Sequence, residues 1–395
     1  MPILRAKLCI ITQQRLPTTA IAMLSLVIPT RNEGGNIEPL LLRLERAWPW
    51  AAEDLEVLIV DDGSRDGTRE TVLRLAQQRP WLQLLPRQVE RDLSTAVVAG
   101  WGNARGDILG CMDGDLQHPP ELLPVLLAEL RQSQAQLVAA SRYVHGGGVG
   151  DWAFMRRVVS RLASALTNLI LPGALDGISD PMSGYFLVRR DAVRLGQLRP
   201  RGYKILLEVL ARARPSQVRE VAFTFAPRRQ GASKAGWRIS WQFLRQIWSL
   251  AGATGELRHM LLFAVVGLSG VGVNYLAFWG LHHLSPAVSV IAAASSALAT
   301  TSNFFGNEFV TFRDVARVLS GSRLRRWARF SALSLVGLGI NTASVTLLVR
   351  WLPWTLALAI GIVLASAWNF FSNSTLTWRR SRLGEPQPAV LVKSA

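Results

Sequence analysis

Two kinds of apolar pattern divide this chain. From residue 24 to about 224, short β-branched runs alternate with amphipathic stretches: LSLVIP, EPLLLRLERA, LEVLIVDD, TRETVLRLAQQ, DILGCMDGD, PELLPVLLAELRQ and QLVAASR. Strands separated by helical segments of this length predict βαβ units and a mostly parallel sheet. In such sheets ligands sit beyond the carboxyl ends of the strands. Three polar clusters fall there, at residues 30–33, 61–66 and 113–117.

Beyond residue 258 the pattern changes. Four runs without any charged residue cover 260–281, 287–307, 330–349 and 351–378. Each is long enough to cross a bilayer, for which about 20 apolar residues suffice. The same region repeats itself: FAVVGLSGVGVN from residue 263 matches FSALSLVGLGIN from 330, and NFFGN from 303 matches NFFSN from 369, at offsets of 67 and 66 residues. Two helical hairpins in parallel repeat explain both offsets. Between the two regions lie DWAFMRRVVSRLASALTNLILPG and AGWRISWQFLRQIWSLAGA, which mix Arg with Trp, Phe, Leu and Ile at helical spacing. Such helices suit the plane of a membrane interface, or equally the surface of the sheet by pattern alone; the adjoining spans favour the interface.

Charge sets the orientation. The chain carries a formal +17 over 395 residues, which directs attention to anionic membranes, phosphate-bearing substrates and nucleic acids. Six arginines and one aspartate occupy residues 313–329, and Arg379, Arg380 and Arg382 follow the last span. The positive-inside rule places both segments in the cytoplasm. Cys9 and Cys111 are the two cysteines, so neither a disulfide framework nor a cysteine zinc site is supported, and a reducing compartment is expected. Gln13, Gln14 and Arg15 interrupt the apolar letters of the first 22 residues, which do not read as a signal peptide.

Chemistry concentrates in CMDGDLQHPPE. Asp113 and Asp115 stand two residues apart at a strand end, where their mutual repulsion calls for a cation. Their oxygens suit Mg²⁺ or Mn²⁺, ions that keep waters and bridge to substrate phosphates. A bare DxD is more often a surface turn; IVDDGS and PTRNE at the neighbouring strand ends reverse that balance.

The ordered set PTRNE, IVDDGSRDGT, LSTA, MDGDLQHPPE, SRYVHGG, DPMSGYF, GYKILLE and VAFTFAPRRQGASK resembles family 2 glycosyltransferases of the polyprenol-phosphate hexose synthase type, above all the dolichol-phosphate mannosyltransferases. The repeated region resembles the GtrA-like membrane domain fused to some of them. The resemblance implies an α/β fold, a GT-A nucleotide-sugar-binding domain over 24–234, then an interfacial amphipathic helix over 235–258. A GtrA-like domain with four transmembrane helices over 259–380 follows, with tails at 1–23 and 381–395. It implies donor contacts at Pro29, Arg31, Glu33, Val60, Asp62, Asp113, Gly114, Asp115, Lys204, Arg228 and Lys234. Metal contacts fall on Asp113, Asp115 and Gln117, and an acceptor-phosphate pocket on Arg142, Arg156 and Ser160. Asp115, Arg142 and Arg228 are the residues expected to carry catalysis.

The implied reaction is an inverting transfer of mannose from GDP-mannose to a membrane polyprenyl phosphate, by a multi-pass protein whose catalytic domain is cytoplasmic, with no nucleic-acid partner. A UDP-hexose such as UDP-glucose is the alternative donor, and a non-catalytic flippase or binding protein for lipid-linked sugars the alternative class. A processive polymerase is disfavoured, because no QxxRW motif is present. Three positions depart from the family pattern: Arg31 stands where Tyr is usual, Asp92 where Gly is usual before LSTA, and Arg65 where Pro often follows VDDGS. Arg31 removes an aromatic contact to the donor. Asp92 is expected to alter a glycine-dependent turn. His118, in HPPE before a helix, is expected to hydrogen-bond locally rather than act as an acid or base.

Overall fold

A computed structural model describes residues 23–48, 54–88, 92–150, 154–171, 175, 178–225, 237–282, 287–319 and 321–378. The described residues divide into two compact units, one drawn from 23–166 and 174–250, the other from 167–173 and 251–378.

The first unit runs β1 (Leu24–Thr30), α1 (Gly34–Ala47), β2 (Leu55–Asp61), α2 (Thr68–Ala76), β3 (Leu82–Pro86), α3 (Leu93–Asn103), β4 (Ile108–Cys111), α4 (Leu123–Gln132), β5 (Leu137–Ser141), α5 (Phe154–Ile170), β6 (Phe186–Arg189), α6 (Ile205–Glu208), β7 (Val218–Ala222) and α7 (Trp237–Thr254). The strands form one sheet in the order β3-β2-β1-β4-β6-β5-β7. β1 and β2 are buried on both faces, which is why they read as almost unbroken apolar runs. α1 packs Ile37, Leu40, Leu41 and Leu44 into the core, and α4 packs Leu123, Leu126, Leu127 and Leu130, the spacing of a single apolar stripe.

The sheet is mixed. β6 runs antiparallel to both β4 and β5, while the β1–β2, β1–β4, β2–β3 and β5–β7 pairs are parallel. The parallel trio β2-β1-β4 carries the three polar clusters. Thr30 pairs with Asp61 at the carboxyl end, and Val27 with Cys111, so the segments 30–33, 61–66 and 113–117 emerge side by side from one edge.

The second unit holds α8 (Glu256–Leu281), α9 (Val288–Gly306), α10 (Arg313–Ala316), α11 (Arg323–Leu348) and α12 (Trp354–Ser372). Each of α9 and α12 ends in a π-helical turn, Asn307–Thr311 and Asn373–Thr377. Including those turns, four helices among the described residues are long and apolar enough to cross a membrane. The internal repeat is structural as well as textual. A Cβ on Gly270 of α8 would meet the Asn303 carboxamide of α9 at 2.2 Å, and one on Gly337 of α11 would meet Asn369 of α12 at 2.5 Å. In both hairpins a glycine lets an asparagine of the partner helix lie against its backbone, the close approach that small residues allow in membrane helices.

Candidate active site

The loop after β4 is anchored before it turns outward. The Met112 N–H donates to the Val27 carbonyl at 3.1 Å, extending the pairing with β1. Leu116 adopts a left-handed conformation at φ 62°, costly for a branched side chain, and its side chain is buried in the core among Leu123 and Leu126. That anchor turns the flanking Asp115 and Gln117 together, and the Asp115 carboxylate accepts the Gln117 N–H at 3.2 Å. Gly114 passes over the end of β1, where a Cβ would stand 3.3 Å from the methyls of Ile28 and Thr30. The residues at 29–31 and the DGD turn therefore border one surface.

Asp113 is the electrostatic centre. Burial raises its pKa above the ordinary aspartate range and neighbouring Asp115 pushes in the same direction, while His118, Lys204 and Arg142 pull it down. Its carboxylate is backed by Gly184, where a Cβ would stand 2.9 Å from Oδ2. Lys204 donates to the Met182 carbonyl at 2.9 Å, and its ammonium lies 5.0 Å from the Tyr203 ring centroid. Gln246 of α7 donates to the Lys204 carbonyl at 2.9 Å. Asp113, Asp115, Lys204 and Arg142 thus share one electrostatic environment.

His118 serves the structure of this loop. Its Nδ1 accepts the Asp113 backbone N–H at 3.1 Å, and its ring packs among Tyr185, Phe223 and Phe225. Burial lowers its pKa, so the ring is neutral and keeps its proton on Nε2.

Arg142, at the end of β5, is held by a carboxylate that sequence reasoning missed. Asp180 accepts its backbone N–H at 3.1 Å, its Nε at 2.7 Å and one Nη at 2.7 Å. Glu220 of β7 in turn accepts the Asp180 N–H at 3.0 Å and both the N–H and hydroxyl of Ser179. Burial works against the Arg142 charge, and the bidentate bond to Asp180 more than offsets it, leaving the pKa raised. The guanidinium lies 5.4 Å from the Tyr143 ring centroid, and the Tyr143 hydroxyl is 2.8 Å from the Ser160 hydroxyl. Arg142 and Ser160 are brought together through Tyr143.

At the ends of β1 and β2 the loops are knitted together. Asn32 N–H donates to Ser64, Arg65 N–H to Asn32 and Gly34 N–H to Asp66, at 2.8 to 2.9 Å. Asp61 binds Arg69 and Ser64 and is structural. Asp62 faces Arg87 at 3.3 Å, and burial raises its pKa. Arg31 is exposed, and the Glu33 carboxylate accepts the Asn36 amide at 2.6 Å. Val60 has no exposed surface, and its side chain faces α3, where a Cβ on Gly100 would stand 3.0 Å from it. Pro29, its partner in the ladder, is half-buried.

Asp92 corrects the expectation of a disturbed turn. Its backbone is extended, at φ −141° and ψ 128°, so no glycine is needed there. The carboxylate caps α3 through the Ser94 N–H at 3.0 Å and accepts the Gly202 N–H at 2.5 Å, two residues before Lys204. The Arg156 side chain, and all of Arg228 and Lys234, lie outside the described residues.

The donor set fits a divalent cation of the Mg²⁺ or Mn²⁺ kind. The described residues contain no group of three His, Cys, Asp or Glu side chains able to enclose an ion. Two carboxylates and the carboxamide of Gln117 match instead a cation that retains waters and completes its shell with phosphate oxygens. The raised pKa of Asp113 marks a carboxylate whose charge gains from such a counter-ion.

Residues 25–196 match the Glycosyl transferase family 2 family, and residues 262–378 the GtrA/DPMS transmembrane domain. The chain is 36% identical over 355 residues to a dolichol-phosphate mannosyltransferase of Pyrococcus furiosus, covering 90% of this chain and 99% of that protein. It is also 36% identical to the dolichol-phosphate mannosyltransferases of Mycosarcoma maydis and Saccharomyces cerevisiae, over 58% and 60% of this chain and 79% and 91% of theirs. Among solved structures, a glucosyl-3-phosphoglycerate synthase of Mycobacterium tuberculosis is 20% identical with a TM-score of 0.47, over 61% of this chain and 86% of that one.

Proposed function

The chain belongs to the family 2 glycosyltransferases, among the dolichol-phosphate mannosyltransferases, and we propose that it moves mannose from GDP-mannose to a membrane polyprenyl phosphate with inversion at the anomeric carbon. It is an integral membrane hexosyltransferase. The observation that carries the finer reading is the convergence of Asp113, Asp115, Lys204 and Arg142 at the carboxyl edge of the sheet, a diphosphate site beside a fixed guanidinium.

A cation held by Asp113, Asp115 and Gln117 would supply positive charge to the departing nucleoside diphosphate. Pro29, Arg31, Glu33 and Asp62 border the nucleoside. Lys204, with Arg228 and Lys234, neutralises the leaving group. Arg142, oriented by Asp180, and Ser160, oriented by Tyr143, receive the acceptor phosphate together with Arg156. An oxygen of that phosphate attacks the anomeric carbon, the bond to the diphosphate breaks, and the electron pair leaves with the diphosphate. The catalytic unit faces the cytoplasm, on the side of the arginines at 313–329. α5 exposes Phe154, Met155, Val159 and Leu162, and α7 exposes Trp241, Leu244 and Trp248, rows suited to the acyl boundary where a lipid phosphate arrives.

Arg31 supports a second donor. It stands exposed where an aromatic contact is usual, and a UDP-hexose is the alternative. The test is incubation of the purified chain with a panel of nucleotide sugars and a short polyprenyl phosphate, reading the lipid product by mass. A mannosyl product formed from GDP-mannose alone is expected, and a glucosyl product from UDP-glucose would replace that reading. Transfer should require Mg²⁺ or Mn²⁺ and be abolished in a folded Asp115→Ala protein; full activity of that variant in chelator would overturn the diphosphate site.

A further inference from the structure

A cavity of about 680 Å³ lies within the membrane unit, at the start of α11 and beside the π turn that ends α12. Ser322, Arg325, Arg326, Arg329, Thr375 and Thr377 line it, with Leu319 and Leu376 among its apolar walls. Three guanidiniums share one volume, and no carboxylate is among the described lining residues. It is large enough for a phosphate bearing a substituent of sugar or glycerol size.

The three arginines differ in what they are already bound to. Arg326 is neutralised by Glu308, a buried carboxylate of the π turn after α9, through contacts of 2.5 and 3.2 Å. Arg329 donates to the Leu376 carbonyl at 2.5 Å, a dipole and not a counter-charge. Arg325 makes no ion pair or side-chain hydrogen bond among the described residues. Two of the three charges therefore have no acidic partner in the wall.

Position decides the ligand. α11 passes from Arg323 through these arginines directly into the charge-free run that begins at Phe330. The cavity thus stands where a span leaves the hydrocarbon, the level of lipid headgroups. Leu324 and Leu376 are exposed beside it, offering apolar surface to a chain. Guanidiniums favour phosphate oxygens, which their paired N–H groups match in geometry. We propose that this cavity binds the phosphate headgroup of a membrane lipid, at a site sharing no residue with the acceptor pocket of Arg142 and Ser160.

Two lipid sources share that chemistry, a polyprenyl phosphate or its glycosylated product and a bulk anionic phospholipid. The full chain, purified in neutral detergent, is titrated with farnesyl phosphate, phosphatidylglycerol, phosphatidylcholine or inorganic phosphate, and bound molecules are counted by native mass spectrometry. At least one phosphate lipid should occupy a site that persists in Arg142→Ala and weakens by roughly tenfold in Arg325→Gln/Arg329→Gln, the scale of losing charge-assisted hydrogen bonds. Preference for farnesyl phosphate identifies the substrate or product as occupant; equal binding of phosphatidylglycerol identifies a general anionic lipid. Both outcomes uphold the site. Retention indistinguishable from phosphatidylcholine overturns it, as does unchanged binding in the double variant or displacement of lipid by an equal concentration of inorganic phosphate. Should the double variant not fold, Arg325→Gln alone decides, since its side chain has no partner to lose: severalfold weaker binding is expected, and wild-type binding overturns the proposal. Transfer at saturating short acceptor should be unchanged in Arg325→Gln.

Discussion

The rings of Phe312 and Trp378 stack face to face, with centroids 4.6 Å apart and planes 15° from parallel, although the two residues hold the same place in the two halves of the membrane unit. Each follows a π turn that begins with asparagine and ends with threonine. A residue that touches its own repeat equivalent lies on the axis relating the repeats, as at an isologous contact. Phe304 and Phe370 also correspond at this offset, and they join the same aromatic cluster with Phe330.

Breaking the stack should therefore uncouple the two hairpins. Phe312→Ala and Trp378→Ala are each expected to cost about 3 kcal/mol of thermal stability in detergent, the range for truncating a buried aromatic. Because they remove one shared contact, the double variant should cost clearly less than the sum. Strict additivity would show that the stack does not join the repeats. Trp378 also donates to Glu308 at 2.8 Å, so Trp378→Phe should retain most of the packing and lose about 1 kcal/mol.

The orientation of the membrane unit has its own test. Val318, near the start of α11, and Trp351, just past its end, are 84% and 81% exposed. The 26 residues of α11 span roughly 39 Å at 1.5 Å per residue, enough to put them on opposite sides of a bilayer. Single cysteines at 318 and 351 should react with an impermeant thiol reagent from opposite faces, residue 318 from the cytoplasmic one. Labelling of both from one face would refute the four-span arrangement.

Much of this molecule is legible in its sequence, and what is hidden has a common cause. Local periodicity marks β1, β2, β4 and β5, and the strand-end clusters lead to Asp113 and Asp115 because a parallel sheet puts all such ends on one edge. The membrane repeat is visible because Asn303 and Asn369 recur with their surroundings. The antiparallel insertion of β6 is not visible, since strand direction and sheet position are set by tertiary pairing with β4 and β5 and leave no local pattern. DPMSGYF contains Asp180 and Gly184, but the pairing of Asp180 with Arg142, 38 residues away, and the backing of Asp113 by Gly184 are not legible, because these contacts depend on how distant loops meet. The role of Asp92 is hidden for a related reason: its worth lies in reaching Gly202, 110 residues away.

That reach makes Asp92 a positioning residue for the loop of Lys204. Asp92→Gly should lose the bond to Gly202 at a cost of about 1 kcal/mol. The donor KM should rise severalfold while the acceptor KM holds. Its two oxygens accept separately, Oδ1 from Ser94 and Oδ2 from Gly202, so Asp92→Asn, which keeps one acceptor, should recover only part of the loss. An unchanged donor KM in Asp92→Gly would detach this residue from the site.

Glu56 predicts an acid limit to stability. It is fully buried in β2 and accepts from Ser25 at 2.6 Å, from the Arg105 backbone at 2.9 Å and from the Arg105 side chain at 2.8 Å. Burial raises its pKa, and these bonds overcome that effect to leave it below the ordinary value of 4.5. A carboxylate depressed in the folded state contributes stability above its unfolded pKa and loses it as pH falls through the folded value. Glu56→Gln should cost about 2 kcal/mol at neutral pH and progressively less below pH 4.5. A penalty that stays constant with pH would refute this linkage.

The last expectation concerns the nucleophile. A sugar hydroxyl would need a base to attack, but a phosphate monoester has a second pKa of about 6 and is already largely a dianion at neutral pH. Two groups beside the site are otherwise engaged: His118 has Nδ1 committed to the Asp113 backbone N–H, and Asp180 is committed to Arg142. The chain's work is then to hold the dianion in line with the anomeric carbon, through Arg142, Arg156 and Ser160. Tyr143→Phe, which removes the hydroxyl beside Ser160 but keeps the ring beneath Arg142, should raise the acceptor KM severalfold and leave kcat nearly unchanged. The acid limb of kcat/KM for acceptor should follow the acceptor's own titration, so replacing the phosphate by a less acidic phosphonate should move that limb to higher pH. An acid limb fixed in place across both acceptors would assign the titrating group to the protein and end the case for a self-sufficient nucleophile.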